Sequence, residues 1–256
     1  MKKMLVMSAM LTVGIVLMAG YEGKAADASD NIKKSDEAAS VKPSSPSNIS
    51  EDKDLVLLLH LDGDASDSSG CGNNGSVMGE VKWVEGKQGK ALSIDGKGGV
   101  LIPKSQSLTI ADQSWTIEVW IKPSSNQPTH SPILSTGFGN SIGYGLRISY
   151  LQNLYGQFQG GHEKVKGAGS GDVAAIIFDG KWHQAVLVLD RENGGQISVY
   201  LDGANVTAEQ VTQSFPIDLK SNPTEIYIGL VNSSTSLAGY VGLIDEVRIS
   251  RGVHKP

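Results

Sequence analysis

The stretch Gly239-Tyr-Val-Gly-Leu-Ile-Asp-Glu-Val-Arg-Ile-Ser250, near the end of the chain, decides the fold. Branched apolar residues alternate in it with polar ones, and this period of two predicts a half-buried β-strand. Asp245 and Glu246 interrupt the apolar pattern, and each carboxylate needs a partner because an unpaired buried charge is costly. The partners that we expect lie in the acidic turn His60–Gly70, so the first and last strands of the domain are predicted to pair.

The remainder of the domain has the composition of an all-β protein. The 256 residues include 31 glycines and 39% hydrophobic residues, which supports a core and many tight turns. Apolar runs, among them an expected strand over Val77–Trp83, are separated by turn sequences such as Asp95-Gly96 and Asp202-Gly203, which favour hairpins. This spacing predicts a two-sheet antiparallel β-sandwich or jelly roll. The net charge of −5 argues against nucleic-acid binding.

The N-terminal region is not expected to belong to the fold. Residues 1–28 have a basic start, an apolar segment too short to span a bilayer comfortably and a small-residue cleavage site at Ala26-Asp-Ala28, or alternatively at Gly23-Lys-Ala25, which predicts a bacterial secretory signal peptide. Residues 29–53 are polar and are predicted to be a disordered linker. The domain over 54–256 is then secreted or held in the cell envelope, with no membrane span after cleavage. Its single cysteine, Cys71, is either a solvated thiol or a partner in an intermolecular disulfide.

Several stretches together resemble the laminin-G-like, concanavalin A-like lectin-glucanase jelly-roll domains. They follow one another in the order of that family: Leu58-Leu-His-Leu-Asp62, Gly86–Gly96, Trp115–Pro123, Gly180–Asp190, Val199–Gly203 and Ile244–Ile249. The resemblance implies the sandwich fold over most of the domain. It is less specific for function, because the fold serves glycan binding, protein adhesion and, in some branches, catalysis.

Catalysis is not expected from the residues present. Glycosidases of this fold carry paired carboxylates on one strand, about 5 Å apart, as acid and nucleophile. The chain has no Glu-x-Asp-x-x-Glu pattern, and the adjacent Asp245 and Glu246 point to opposite faces of a strand. His183 has no serine or cysteine nucleophile nearby in sequence. We therefore predict a non-catalytic module.

A structural calcium ion is the cofactor that we predict. The first loop offers oxygen ligands from aspartates and asparagines, and calcium takes six to eight oxygens in flexible geometry. Many relatives carry calcium at a comparable place, and the resemblance implies Asp62, Asp67, Asn73 and Asp245 as its ligands. The alternative is that these side chains cap turns and need no metal.

A polar and aromatic sheet face is the candidate ligand site. Sugars stack on aromatic rings while polar side chains bind their hydroxyls. Strand alternation selects these residues for the face: Trp120, Glu118, Arg147, Tyr155, Gln157 and Gln159. In the alternative, Trp120 belongs to the core and Glu118 pairs with an arginine, Arg147 or Arg248. A second candidate is the polar segment Gln159–Asp172, predicted to be a long rim loop.

These observations predict a secreted binding module without catalysis. Its expected partner is an extracellular or cell-surface polysaccharide or glycoprotein. The alternative is a protein-interaction or structural domain of the bacterial envelope that binds no sugar.

Overall fold

A computed structural model describes residues 53–110, 113–136, 142–160, 165–212, 225–230 and 239–256. The predicted signal peptide and all but the last residue of the predicted linker lie outside these ranges. Within the ranges the elements are, in chain order, β1 Leu55–Leu59, β2 Ser76–Met78, β3 Val81–Glu85, β4 Lys90–Asp95, β5 Gly99–Ile102, a 3₁₀ turn Gln106–Leu108, β6 Trp115–Pro123, β7 Ser131–Ser135, β8 Ile142–Ile148, β9 Leu154–Gly160, β10 Val165–Ser170, the short helix α1 Ala174–Ile177, β11 His183–Asp190, β12 Gln196–Leu201, β13 Ala204–Asn205, β14 Thr207–Thr212, β15 Ile226–Ile228 and β16 Val241–Arg251.

The strands form two antiparallel sheets that pack face to face. Sheet A has the order β13-β12-β11-β6-β16-β4-β3, and β1 pairs with β16 beside this path. Sheet B has the order β14-β10-β9-β8-β7-β15-β5-β2. Buried side chains such as Ile117 and Ile121 of sheet A and Leu146 and Phe158 of sheet B belong to one core. The predicted all-β sandwich is therefore confirmed.

The first and last strands pair as the sequence predicts. β1 runs antiparallel to the second half of β16, with Leu59 opposite Val247. Beyond the end of β1, His60 Nδ1 lies 3.0 Å from a carboxylate oxygen of Glu246. The acidic turn thus supplies the partner of Glu246.

The partner of Asp245 lies elsewhere. Its Oδ2 accepts hydrogen bonds from the backbone N–H groups of Lys87 and Gln88, at 2.8 and 3.1 Å, in the turn between β3 and β4. Its Oδ1 accepts the N–H of Glu246, where β16 forms a bulge and Glu246 has φ 46°. The prediction that Asp245 pairs with the acidic turn is wrong, because backbone N–H groups of the β3–β4 turn and of the bulge occupy both of its carboxylate oxygens.

Two further predictions about local structure are corrected. The segment expected as a long rim loop contains β10, which pairs with β9 and β14 inside sheet B. The single strand expected over Val77–Trp83 is two strands, β2 and β3, separated at Gly79 by its positive φ of 68°.

Cys71 is exposed. The described residues contain no helix long and apolar enough to cross a membrane.

Candidate ligand-binding site

The residues predicted to form one ligand-binding face lie on two different faces of the sandwich. In β6, Val119 and Ile121 enter the core, so Glu118 and Trp120 lie on the outer face of sheet A. In β8 and β9, the core-facing neighbours place the other predicted residues on the outer face of sheet B: Arg147, Tyr155 and Gln157. The side chain of Gln159 lies outside the part of the chain that the structure describes. Because the two outer faces are on opposite sides of the sandwich, the predicted residues do not form a single surface.

On sheet A, the predicted residues are occupied by contacts within the protein. Lys87 Nζ lies 4.0 Å from the centre of the Trp120 ring, a cation–π contact. Arg248 Nε lies 3.6 Å from Glu118 Oε1, and Gln184 Nε2 donates to Glu118 Oε2 at 3.4 Å. The Glu118–Arg248 pair, one of the alternatives from the sequence, is confirmed. This group therefore stabilises the sheet and the β3–β4 turn that lies over it.

On sheet B, three predicted residues do come together. Arg147 and Tyr155 are paired across β8 and β9, and the guanidinium carbon lies 4.6 Å from the centre of the tyrosine ring. Arg147 Nη1 donates a hydrogen bond of 3.0 Å to Gln157 Oε1. Burial lowers the pKa of Arg147, and the neighbouring Tyr155 opposes this shift. Arginine titrates so high that the group stays cationic at neutral pH.

The Gln157 amide is fixed on one side and available on the other. Only 9% of the residue is exposed, and its Oε1 is held by Arg147. Its Nε2 donates no hydrogen bond to any residue within the described ranges. An amide nitrogen carries two donors, so this group is suited to a ligand hydroxyl or carbonyl.

The positions next to these residues on the neighbouring strands are glycines, which have no side chain to rise above the sheet surface. Gly145 and Gly167 lie opposite Gln157, on either side of it, and Gly169 lies opposite Tyr155. A Cβ atom at Gly167 would lie 2.3 Å from Tyr155 Oη, so the tyrosine ring extends over the backbone of β10. We call the group of Arg147, Tyr155 and Gln157, together with these glycines, the Tyr155 platform. It provides an aromatic surface, a cation and an amide donor for binding a ligand.

The predicted calcium ligands divide into two clusters, of which the first is a turn held by Asp67. Asp67 Oδ1 accepts the backbone N–H of Leu58 at 3.0 Å and that of Ser69 at 2.9 Å, while Oδ2 accepts the N–H of Asn73 at 2.7 Å. Asn73 is buried, and its Nδ2 donates to the carbonyl of Val56. The side chains cap a turn, as in the alternative from the sequence.

The second cluster lies at the β3–β4 turn. Asp62 Oδ1 accepts the N–H of Lys90 at 2.6 Å, and Asp245 binds the same turn from β16. β1 lies between the two clusters, because Leu59 bridges to Asp67 on one side and pairs with Val247 on the other. Two strand spacings, about 10 Å, separate them.

The predicted calcium site does not fit as a single shell. Asp62, Asp67, Asn73 and Asp245 do not converge, and within the described residues no three His, Cys, Asp or Glu side chains are placed to hold a metal. Calcium binding by the protein stays a prediction from the sequence.

His183 has an environment that the sequence does not indicate. The residue is buried; its Nδ1 lies 2.7 Å from Asp202 Oδ2 and its Nε2 3.0 Å from Asp179 Oδ1. Burial lowers the pKa of His183, but the hydrogen bonds with the two aspartates outweigh burial and raise it above 6.5. The hydrogen bond with His183, followed by one from the Lys181 N–H, lowers the pKa of Asp179 to about 2. Both ring nitrogens donate only in the imidazolium, so this cluster is an ion-paired clamp on β11.

The fold and the Tyr155 platform define a jelly-roll domain with a candidate ligand surface on one sheet. A sequence model of the laminin G type, described as the concanavalin A-like lectin/glucanases superfamily, matches residues 95–255. The chain belongs to this family. No curated protein sequence matches the chain.

Solved structures share the fold at low sequence identity. Domain 4 of AbnA, a GH43 extracellular arabinanase from Geobacillus stearothermophilus, in complex with arabinotriose, is 21% identical over 78% of this chain and 93% of its own, with a TM-score of 0.59. The binding domain of botulinum neurotoxin DC is similar in its complexes with SialylT (16% identity, TM-score 0.59) and with rat synaptotagmin II (17%, 0.58). Each toxin match covers 80% of this chain and 50% of the toxin chain, so this chain spans half the length of those proteins.

Proposed function

We propose that the protein is a secreted, non-catalytic module that binds an extracellular or cell-surface glycan on the Tyr155 platform. The observation that carries the proposal is the fixed triad on the outer face of sheet B. Arg147 lies against the Tyr155 ring and holds Gln157, whose amide nitrogen is left for a ligand. This combination is the one that a sugar requires: an aromatic surface for its C–H groups and oriented polar groups for its hydroxyls.

The glycines around the platform leave its surface open, which favours a flat, extended ligand. The residues opposite Gln157 on both neighbouring strands are glycines, and over Gly167 lies the Tyr155 ring itself, the surface on which a sugar ring would stack. Arg147 and Gln157 are held by packing and by their mutual hydrogen bond, so little side-chain entropy remains to be lost on binding. On sheet A, Lys87 lies against the Trp120 ring as Arg147 lies against Tyr155, but there Glu118 is paired with Arg248 and the Gln184 amide nitrogen already donates to Glu118.

The structural neighbours support this class of ligand. Two of the similar structures are complexes with arabinotriose and with SialylT, and the first is a domain of an extracellular enzyme. Their identities of 21% and 16% give the fold alone, so the choice of sugar has to come from binding experiments. Secretion of the present chain is proposed from the signal sequence together with these neighbours.

A protein-binding function is the second candidate, and an exposed hairpin tip favours it. Between β8 and β9, Tyr150 and Leu151 are 61% and 58% exposed. Exposed large apolar side chains are typical of protein contacts. One of the similar toxin structures is a complex with synaptotagmin II, a protein partner. In this case the hairpin tip, and not the platform, would carry the binding energy.

The test is retention of the purified protein on a panel of immobilised polysaccharides and glycoproteins. We expect retention on one polymer class, with the affinity lowered at least tenfold in Tyr155→Ala, since truncating a central aromatic residue of an interface costs about 2 kcal/mol or more and about 1.4 kcal/mol corresponds to tenfold. Trp120→Ala is the matched aromatic control and is expected to bind like the wild type.

Two results would contradict the proposal. Equal loss in Trp120→Ala and Tyr155→Ala, with both variants folded, would remove the platform as the site. Binding to a glycoprotein that survives removal of its glycans, and is lost in a Tyr150→Ser, Leu151→Ser double variant, would support the protein-binding function instead.

A further inference from the structure

A pocket of about 520 Å³ lies at one end of sheet A. Four neighbouring strands meet there: β1 and β6 begin at this end, and β11 and β16 finish at it. Its polar lining comprises Asp54, Gln113, Ser114, Arg191, Glu192 and Arg251. The volume falls within the range of about 300–1,000 Å³ that is usual for small-molecule sites. The pocket is formed by elements other than those of the Tyr155 platform.

Main-chain hydrogen bonds fix the walls of this pocket. Arg251 N–H donates to the Asp54 carbonyl at 2.7 Å, and Gly252 N–H donates to the Ser114 carbonyl at 2.7 Å. Arg191 N–H donates to Ser114 Oγ at 2.9 Å. The lining residues are thus held by the ends of paired strands and do not depend on a loop closing. Such a site is preformed, which reduces the entropy lost when a ligand binds.

Arg251 carries an unsatisfied buried nitrogen in the pocket. It lies opposite Trp115, and strand alternation directs its side chain to the same side as the buried Ile249. The residue is half-buried and its Nε is fully buried. Its guanidinium makes no hydrogen bond or ion pair with any residue that the structure describes. A partly desolvated guanidinium without a counter-ion attracts an anion, and its planar donors suit a carboxylate.

The other charges of the pocket restrict the anion. Arg191 adds a second cation, but Asp54 and Glu192 add two carboxylates to the same lining. A dianion such as phosphate would be repelled by these carboxylates. A monoanion that also carries hydroxyl groups fits better, because carboxylates accept hydrogen bonds from hydroxyls.

We infer that this pocket binds a hydroxylated monocarboxylate of about the size of one sugar ring, such as a hexuronic acid. Arg251 takes the ligand carboxylate, supported by the positive charge of Arg191. Glu192 and the Gln113 amide take its hydroxyls. The site goes beyond the proposed glycan platform, since it recognises one charged unit at the end of sheet A.

The test is a calorimetric titration of the purified protein with each of four compounds: glucuronate, glucose, acetate and inorganic phosphate. We expect saturable binding of glucuronate and affinities at least tenfold lower for the other three. Arg251→Gln should lose at least tenfold of the glucuronate affinity. Arg251→Lys, which keeps the charge but not the planar donors, should lie between the wild type and Arg251→Gln.

The matched control removes a positive charge at the far end of the same sheet. Lys97 is exposed and follows Asp95, which pairs with Val241 at the start of β16. That position is about 33 Å from Arg251 along the strand. Lys97→Gln should bind glucuronate like the wild type, and so should Tyr155→Ala, which separates this site from the platform.

Three results would overturn the inference. The first is the absence of saturable glucuronate binding to the wild type. The second is an unchanged glucuronate affinity in the Arg251→Gln variant, provided that this variant is folded and melts within a few degrees of the wild type. The third is tighter binding of phosphate than of glucuronate, which would contradict the argument from Asp54 and Glu192.

Discussion

Removing the Asp245 carboxylate is expected to destabilise the domain strongly, because this one side chain accepts three backbone hydrogen bonds and so connects the β3–β4 turn to β16. Asp245 is fully buried and accepts the N–H groups of Lys87, Gln88 and Glu246. The first two belong to the β3–β4 turn and the third to the bulge of β16. In Asp245→Ala all three donors lose their acceptor, and the turn loses its attachment to the last strand.

The expected loss of unfolding free energy is about 3 kcal/mol. A hydrogen bond to a charged group contributes about 1.5–3 kcal/mol, and the low end applies here because Lys87 and Gln88 are exposed and water can reach their amides after the change, so the three bonds together contribute about 4.5 kcal/mol before the desolvation cost of the carboxylate is subtracted. Burial raises the pKa of Asp245, the three hydrogen bonds oppose this shift, and the net pKa is raised. The charged carboxylate therefore has a desolvation cost that the alanine variant does not have. That relief offsets part of the loss, which is still large against a typical total stability of about 5–15 kcal/mol.

Urea unfolding at neutral pH, followed by tryptophan fluorescence, measures this loss. Asp95→Ala is the control: that carboxylate is exposed and accepts one N–H, from Lys97 at 3.3 Å, so we expect a loss below about 1 kcal/mol. Hydrogen exchange should also show faster exchange of the Lys87 and Gln88 amides in Asp245→Ala. A loss equal to that of the control, or unchanged exchange at both amides, would refute the reasoning.

Three further predictions concern the platform, the histidine clamp and the metal. Gly167→Val should lower the glycan affinity severalfold with a small effect on stability, since its Cβ would displace the Tyr155 ring; unchanged binding would contradict the platform geometry. Because the pKa of His183 is raised in the folded protein, the protonated ring stabilises the fold. This contribution is fully present below pH 6.5, the ordinary pKa of histidine, and is lost as the pH rises through the folded-state pKa. Urea unfolding at pH 6 and pH 8 should therefore show lower stability at pH 8, and His183→Gln should reduce the difference; an unchanged difference would exclude the clamp. The calcium prediction from the sequence expects a higher melting temperature in millimolar calcium than in EDTA, and identical temperatures would contradict it.

The fold could be predicted because its strands carry local patterns. In β6 the alternation of Trp115, Ile117 and Val119 with polar residues gives the strand and its core face directly, and the structure confirms both. The pairing of β1 with β16 could be predicted from charges at both ends of the domain. The partner of Asp245 could not, because the backbone N–H groups of a turn leave no mark in the side-chain sequence.

The candidate site could be predicted in part, for a reason of topology. Alternation tells which residues of one strand share a face, so Tyr155 and Gln157 were placed together correctly. It does not tell which sheet the strand joins. β6 pairs with β11 and β16 in sheet A, whereas β8 pairs with β7 and β9 in sheet B. Trp120 and Arg147 consequently lie on opposite sides of the sandwich, although each points outward as predicted.

The glycines that conceal β10 in the sequence also shape the Tyr155 platform. Pairing in a sheet requires only main-chain donors and acceptors, so Gly167 and Gly169 pair with β9 and β14 although they add nothing to hydrophobic periodicity. A side chain at residue 167 would occupy the space of the Tyr155 ring, so the smallness that makes the segment resemble a loop is what allows the ring to lie across the sheet. The weak strand pattern and the open surface therefore have one cause. A glycine-rich segment that follows an aromatic strand in such a domain should be considered a candidate sheet surface before it is assigned to a loop.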